Sequence, residues 1–114
     1  MKIFRKLFPK KYDLYAIGNA LVDMEFEVDD NFLKKLGITK GHMMLIDEKR
    51  HDEIIREIQS LPVHRHCGGS AANTVIGHAH LGGKTFYSCK VAKDEHGIFY
   101  KKDLKSNRVA TNPI

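Results

Sequence analysis

Two stretches limit what this chain can fold into: residues 12–17, an apolar run that ends at Gly18, and residues 85–91, rich in β-forming side chains. Both read as core strands, the first of the parallel, buried type. What separates them is different in character. Residues 24–28 alternate apolar and acidic side chains, and 43–46 and 63–67 are similarly short. These three stretches do not suit a fully buried parallel sheet and read as a small separate sheet with one exposed face. Helices are marked by caps and stops. Asp29 or Asp30 opens one that reaches Leu36 before Gly37, and Asp47 opens another to about Leu61, with Ile54, Ile55 and Ile58 at helical spacing. Ser70 or Ala71 begins a small-residue helix to Leu81, stopped by Gly82 and Gly83. Asp94 caps a last one, with Ile98, Phe99 and Leu104 on one side.

Core strand, excursion, helix, core strand, helix is an α/β pattern. Two core strands are too few for a doubly wound sheet with helices on both faces, and would leave apolar edges open. The expectation is a chain that is incomplete or is completed by another chain. A compact α+β domain of 114 residues is the alternative.

Composition narrows the function classes. With 42% hydrophobic and 29% charged residues the chain is an ordinary globular one. No apolar run approaches the roughly 18 residues of a membrane span. The net charge of +5 is accounted for by Lys2, Arg5, Lys6, Lys10 and Lys11, so the rest of the chain is neutral. A basic tail at 1–11 is therefore expected, not the basic face of a nucleic-acid binder. Ile3, Phe4, Leu7 and Phe8 could share one face of a short membrane-surface helix, but a solvated leader is the simpler reading. Cys67 and Cys89 form no disulfide framework, and with no signal peptide reduced thiols in the cytoplasm are expected.

Chemistry concentrates where strands end. Asn19 and Asp23 follow the first core strand, and in open α/β sheets ligands bind beyond the carboxyl ends of the strands. A carboxylate can accept from two neighbouring hydroxyls, while an amide donates and accepts. The pair suits a polyhydroxylated ligand, although Asn and Asp after a strand also serve as turn residues. Gly68 and Gly69 stand at a strand-to-helix junction, where glycine lets the backbone approach a ligand or act as a hinge. Ser70 and Ala71 follow, and Asn73 falls in the first helical turn, able to face the same crevice.

Together, Gly-Asn-x-x-x-Asp at 18–23 and Gly-Gly-Ser-x-x-Asn at 68–73, in a helix ending Leu-Gly-Gly at 81–83, resemble the N-terminal pattern of the ribokinase/PfkB family of carbohydrate and nucleoside kinases. The resemblance runs through Phe86 to Ala92 and on to Asp94, Gly97 and Tyr100, covering roughly residues 12–112. The four-residue step from Asn19 to Asp23 looks more like the adenosine-kinase and general sugar-kinase branches than ribokinase itself. It implies a three-layer αβα fold with a small β-sheet lid, here as an incomplete N-terminal portion, with lid strands at about 24–28, 43–46 and 63–67 in a kinase domain from residue 12 to 114. It also implies substrate binding by Asn19, Asp23, Gly68, Gly69, Ser70 and Asn73, with Asp23 on the sugar hydroxyls and the glycine pair at the lid hinge.

The activity implied is ATP-dependent phosphorylation of a sugar or nucleoside hydroxyl, with Mg2+ as the companion ion. In the family a Gly-Ala-Gly-Asp motif supplies the general base and the phosphate anion hole, and this sequence contains no such motif. The chain is thus expected to carry no catalytic residue and no ATP site, and to be inactive alone. The rival reading is a non-catalytic module that binds a polyol or forms a homodimer through the lid. Two apparent motifs fail on geometry. Gly83-Lys84-Thr85 has His78 where a P-loop needs its first glycine, and it joins helix to strand, the reverse of a P-loop. His78 and His80 stand two apart on a helix, a spacing that does not bring two ligands to one metal, and no metal site is expected from these or from His64 and His66. Lys101, Lys102, Lys105 and Arg108 read as a solvated face.

Overall fold

The computed structural model describes residues 10–112. The basic tail expected at 1–11 lies almost wholly outside them; Lys10 and Lys11, its described part, are exposed. Among the described residues five strands, β1 (Leu14–Ile17), β2 (Leu21–Glu25), β3 (His64–Gly68), β4 (Thr85–Ser88) and β5 (Val109–Thr111), accompany four helices. These are α1 (Asp30–Lys35), α2 (Glu48–Ile58), α3 (Ser70–His80) and α4 (Glu95–Ser106). The chain divides into two compact units, one made by the chain up to Asp23 together with the chain from Arg65 onward, the other by Met24–His64.

The first unit is built on a three-stranded parallel sheet in the order β1-β4-β5. Leu14 pairs with Thr85 and Ile17 with Ser88, while Thr85 and Tyr87 pair on their other side with Val109 and Thr111. Parallel neighbours need crossovers, and both crossovers here step in the same direction across the sheet, so right-handed connection puts α3 and α4 on one face. The burial agrees. Thr85, Tyr87 and Cys89 are buried and alternate with half-buried Phe86 and Ser88. Ala72, Val75 and Ala79 of α3 and Gly97, Tyr100 and Leu104 of α4 are buried as well. Small residues on α3 let it lie close to the sheet, and each large core side chain contributes about 1.5–3 kcal/mol.

Two expectations for this sheet are corrected. A third core strand, β5, exists; it is three residues long and follows Arg108 in a left-handed conformation (φ 61°), too short to register as an apolar run. The first core strand is not buried on both faces: Tyr15 and Ile17 are 56% and 76% exposed, since the covering helices lie on the other side. Tyr15 stacks on Phe86 with centroids 5.0 Å apart, and Tyr12 tilts against the same ring at 5.1 Å.

In the second unit, α1 and α2 start where the aspartates said. The Asp29 carboxylate accepts from Phe32 N at 2.7 Å and that of Asp47 from Arg50 N at 2.8 Å. Leu36 and Ile58 are its buried apolar residues. The Arg50 guanidinium donates to the Leu36 carbonyl, and Lys35 meets Glu57 at 2.6 Å, which holds the Glu57 carboxyl below its ordinary pKa.

A two-stranded sheet pairs β2 with β3. The strand expected at 24–28 begins earlier, at Leu21, and the one at 63–67 is displaced by a single residue. Residues 43–46 form no strand: Met43 and Leu45 are 90% and 95% exposed, and short apolar stretches become strands only against a neighbour to pair with.

Candidate functional site

The carboxyl end of β1 and the junction of β3 with α3 meet in the first unit. Gly18 N donates to Ser88 O at 3.2 Å as the last ladder bond, and Asn19 leaves the sheet. Asp23, two residues into β2, reaches across to the junction. Its carboxyl carbon and both oxygens lie 2.4 Å from where a Cβ on Gly68 would stand, so the carboxylate occupies the space that the missing side chain leaves. Gly69 takes φ 93°, a region open to glycine, and the backbone oxygen of Asn19 lies 3.3 Å from its Cβ position. Asn19, Asp23, Gly68 and Gly69 are thereby brought together.

Gly69 is also the N-cap of α3, and no side chain caps that end. First-turn N–H groups are left for another acceptor, and they carry the positive end of the helix dipole. Asn73 N donates to Gly69 O at 2.9 Å and the Thr74 hydroxyl to Ser70 O at 2.8 Å. The side chains of Ser70 and Asn73 are exposed in this first turn, as are Asn19 and Asp23. The site is an open polar surface. A cavity of about 210 Å3 lies beside β2, lined by Ala20, Val22, Lys90, His96 and Tyr100 among others, but none of the six site residues lines it.

Several residues that hold the site escaped the sequence reading. The Tyr87 hydroxyl donates to the Asn19 carbonyl at 2.9 Å, and the Tyr100 hydroxyl to the Gly68 carbonyl at 3.2 Å. Asp103 of α4 accepts from Cys67 N at 2.8 Å. Arg65 pairs with Glu95 at 2.7 Å and lies 5.0 Å from the Phe99 ring centroid. This pairing holds the Glu95 carboxyl below its ordinary pKa, through the hydrogen bond first and the charge second. The available signal was weak: tyrosine where phenylalanine would fill the core implies a hydroxyl with a partner to satisfy.

Cys67 and Cys89 are free and buried. Burial pushes both thiols up, with the Asp103 carboxylate adding to the shift at Cys67. Neither is a nucleophile in this setting. His80 Nε2 bonds to Asn107 Oδ1 at 2.9 Å, and among the described residues no group of three His, Cys, Asp or Glu could hold a metal ion. No helix among the described residues is long and apolar enough to cross a membrane.

A parallel βαβ core with an amide just past its first strand and a carboxylate from β2, both beside a glycine-led helix start, is an α/β fold of the ribokinase type. The sequence pattern of the pfkB family carbohydrate kinases matches residues 31–114, and the chain belongs to that family. The adenosine kinase of Sinorhizobium meliloti superimposes with a TM-score of 0.72 at 39% identity, over 92% of this chain and 32% of that one. A probable sugar kinase from Rhizobium etli CFN 42 gives 0.72 at 36% identity, over 91% and 32%. Guanosine-inosine kinase of Escherichia coli (strain K12) is 32% identical over 62 residues, 53% of this chain and 14% of that protein. The chain thus spans about a third of the length of these solved kinases and a smaller share of the curated relative.

Proposed function

We propose that this chain supplies the substrate-binding part of a kinase that transfers phosphate from ATP to a hydroxyl of a sugar or nucleoside, with Asn19, Asp23, Gly68, Gly69, Ser70 and Asn73 on the acceptor. The observation that carries the reading is the Asp23 carboxylate set against Gly68, beside Asn19 and the uncapped start of α3. A carboxylate there can accept from two vicinal hydroxyls while the amides of Asn19 and Asn73 donate. The names of its relatives, kinases of adenosine, guanosine-inosine and a sugar, favour a ribose-bearing or free sugar acceptor. In this reading the β2–β3 sheet belongs to a lid over the acceptor.

Phosphoryl transfer depends on positioning and on stabilising charge at the phosphate. ATP and Mg2+ would serve the whole kinase, but this sequence has no Gly-Ala-Gly-Asp motif, and no transfer step is assigned to its residues. The expectation is binding without turnover. Calorimetric titration of the chain with adenosine, guanosine and ribose should show binding of at least one, weakened about tenfold or more in Asp23→Asn, as for loss of a charged hydrogen-bond acceptor. Equal affinity in Asp23→Asn would remove Asp23 from the site, and stoichiometric ADP formation by the chain alone would sink the division of labour.

A second reading, self-association through the lid region, is favoured by one observation: Met43 and Leu45 stand almost wholly exposed. Sedimentation of the parent and of Met43→Ser/Leu45→Ser separates it from the first, since only a lid dimer would dissociate on that change.

A further inference from the structure

We propose that Tyr87 and Tyr100 are positioning residues for the acceptor site: two core hydroxyls that fix the peptide units on which Asn19 and Gly68–Gly69 are presented. The inference rests on the site assigned above and assigns roles to residues outside it.

Both rings are buried, Tyr87 at 0% and Tyr100 at 1% exposure, in the middle of the apolar cluster formed with Val75, Leu104 and Val109. Phenylalanine would fill that space, and a phenol hydroxyl taken from water without a partner is costly. Each hydroxyl bonds to a backbone carbonyl, and the two phenols also lie against each other. Tyr87 donates to the carbonyl of Asn19 and Tyr100 to the carbonyl of Gly68, so each contacts one of the two segments that form the site. Asn19 lies between β1 and β2, and Gly68 is the last residue of β3, so both carbonyls stand where the chain leaves or enters a strand. The fit is close on both sides. A Cβ on Gly18 would come within 2.6 Å of the Tyr87 oxygen, so the exit of β1 lies directly on the phenol. Gly68 is pinned from one side by Tyr100 and covered on another by the Asp23 carboxylate. Burial raises both phenols above their ordinary pKa, so both remain proton donors across the physiological range.

A site residue's position matters at the sub-ångström level for a hydrogen-bonded ligand, and buried donors placed on its backbone supply that rigidity. Tyr87→Phe and Tyr100→Phe keep the rings and remove only the bonds. Val109→Ala serves as the control, a truncation in the same core that touches neither carbonyl.

The experiment compares these three variants with the parent chain, using adenosine as the probe, thermal unfolding as the measure of stability, and amide hydrogen exchange by NMR as the local readout. The expected result is affinity for adenosine reduced about tenfold in each Tyr→Phe variant, with faster exchange at Ala20 and Gly69, whose N–H groups share peptide units with the released carbonyls. Val109→Ala should lose at least as much thermal stability and bind adenosine as the parent does. Parental affinity and unchanged exchange in both tyrosine variants would overturn the proposal, as would an equal loss of affinity in Val109→Ala. If the parent does not bind adenosine, the acceptor reading fails for that ligand and exchange alone decides the positioning role. Faster exchange confined to Ala20 and Gly69 supports it, and a change spread over the whole core overturns it.

Discussion

At the residue scale, Gly68 and Gly97 differ in what occupies the space of the missing side chain. At Gly68 the occupant is the far end of an exposed carboxylate, which can swing away. At Gly97 it is backbone: a Cβ would stand 2.0 Å from the Ala92 carbonyl oxygen, in the tight turn where the Asp94 carboxylate caps α4. Alanine at the two positions should therefore act oppositely. Gly97→Ala should cost about 2–4 kcal/mol in denaturant unfolding, the range for forced overpacking. Gly68→Ala should cost under about 1 kcal/mol yet displace Asp23 and abolish acceptor binding in a calorimetric titration. A Gly68→Ala chain that binds as the parent does would mean that Asp23 acts from another position. The legibility of the site follows the same division. Asn19, Asp23 and the glycine pair were readable as candidates because polar and glycine residues at strand ends carry their chemistry in their type. Tyr87, Tyr100 and Asp103 were not, because an aromatic in a core strand or an acid on a helix looks the same whether or not it holds a distant carbonyl.

Among the elements, the helices were the most legible because their starts depend on local chemistry. Asp29, Asp47 and Asp94 each accept from the backbone N–H three residues on, at 2.7 to 2.8 Å. Strands depend on partners that a sequence does not display. The short run at 43–46 is exposed coil, while Val109–Thr111 became a strand because β4 offered it an edge. The caps also differ in what they support. The cap at Asp94 starts the helix that carries Glu95, Tyr100 and Asp103, which grip β3 through Arg65, Gly68 and Cys67. Asp94→Ala should lower stability by about 1 kcal/mol, the usual cost of a lost cap, and should also quicken amide exchange along β3. Asp47→Ala should cost a similar amount without altering exchange at Cys67. Identical exchange profiles in the two variants would show that α4 does not anchor β3.

For the whole molecule, the decisive fact is that one face of the parallel sheet carries α3 and α4 while the other presents Tyr15 and Ile17 to solvent, with Phe86 half-buried beside them. The mismatch between strand pattern and number of strands was visible in the sequence; which face would be left open was not, because it depends on the handedness of two crossovers. Contiguous exposed apolar surface of this kind drives association, and β1 and β5 are both edges of the sheet, each with one side unpaired among the described residues. Since Ile17 is 76% exposed, replacing it with a polar residue removes little native packing. Ile17→Thr, a β-branched residue that keeps strand propensity, should therefore leave the melting temperature of a dilute sample nearly unchanged. The same change should reduce both the concentration dependence of the sedimentation coefficient and the binding of a hydrophobic dye. If instead the variant melts several degrees lower, about the shift for 1 kcal/mol in a domain of this size, the face is covered in solution by another copy of the chain, and the open sheet is the interface of a dimer.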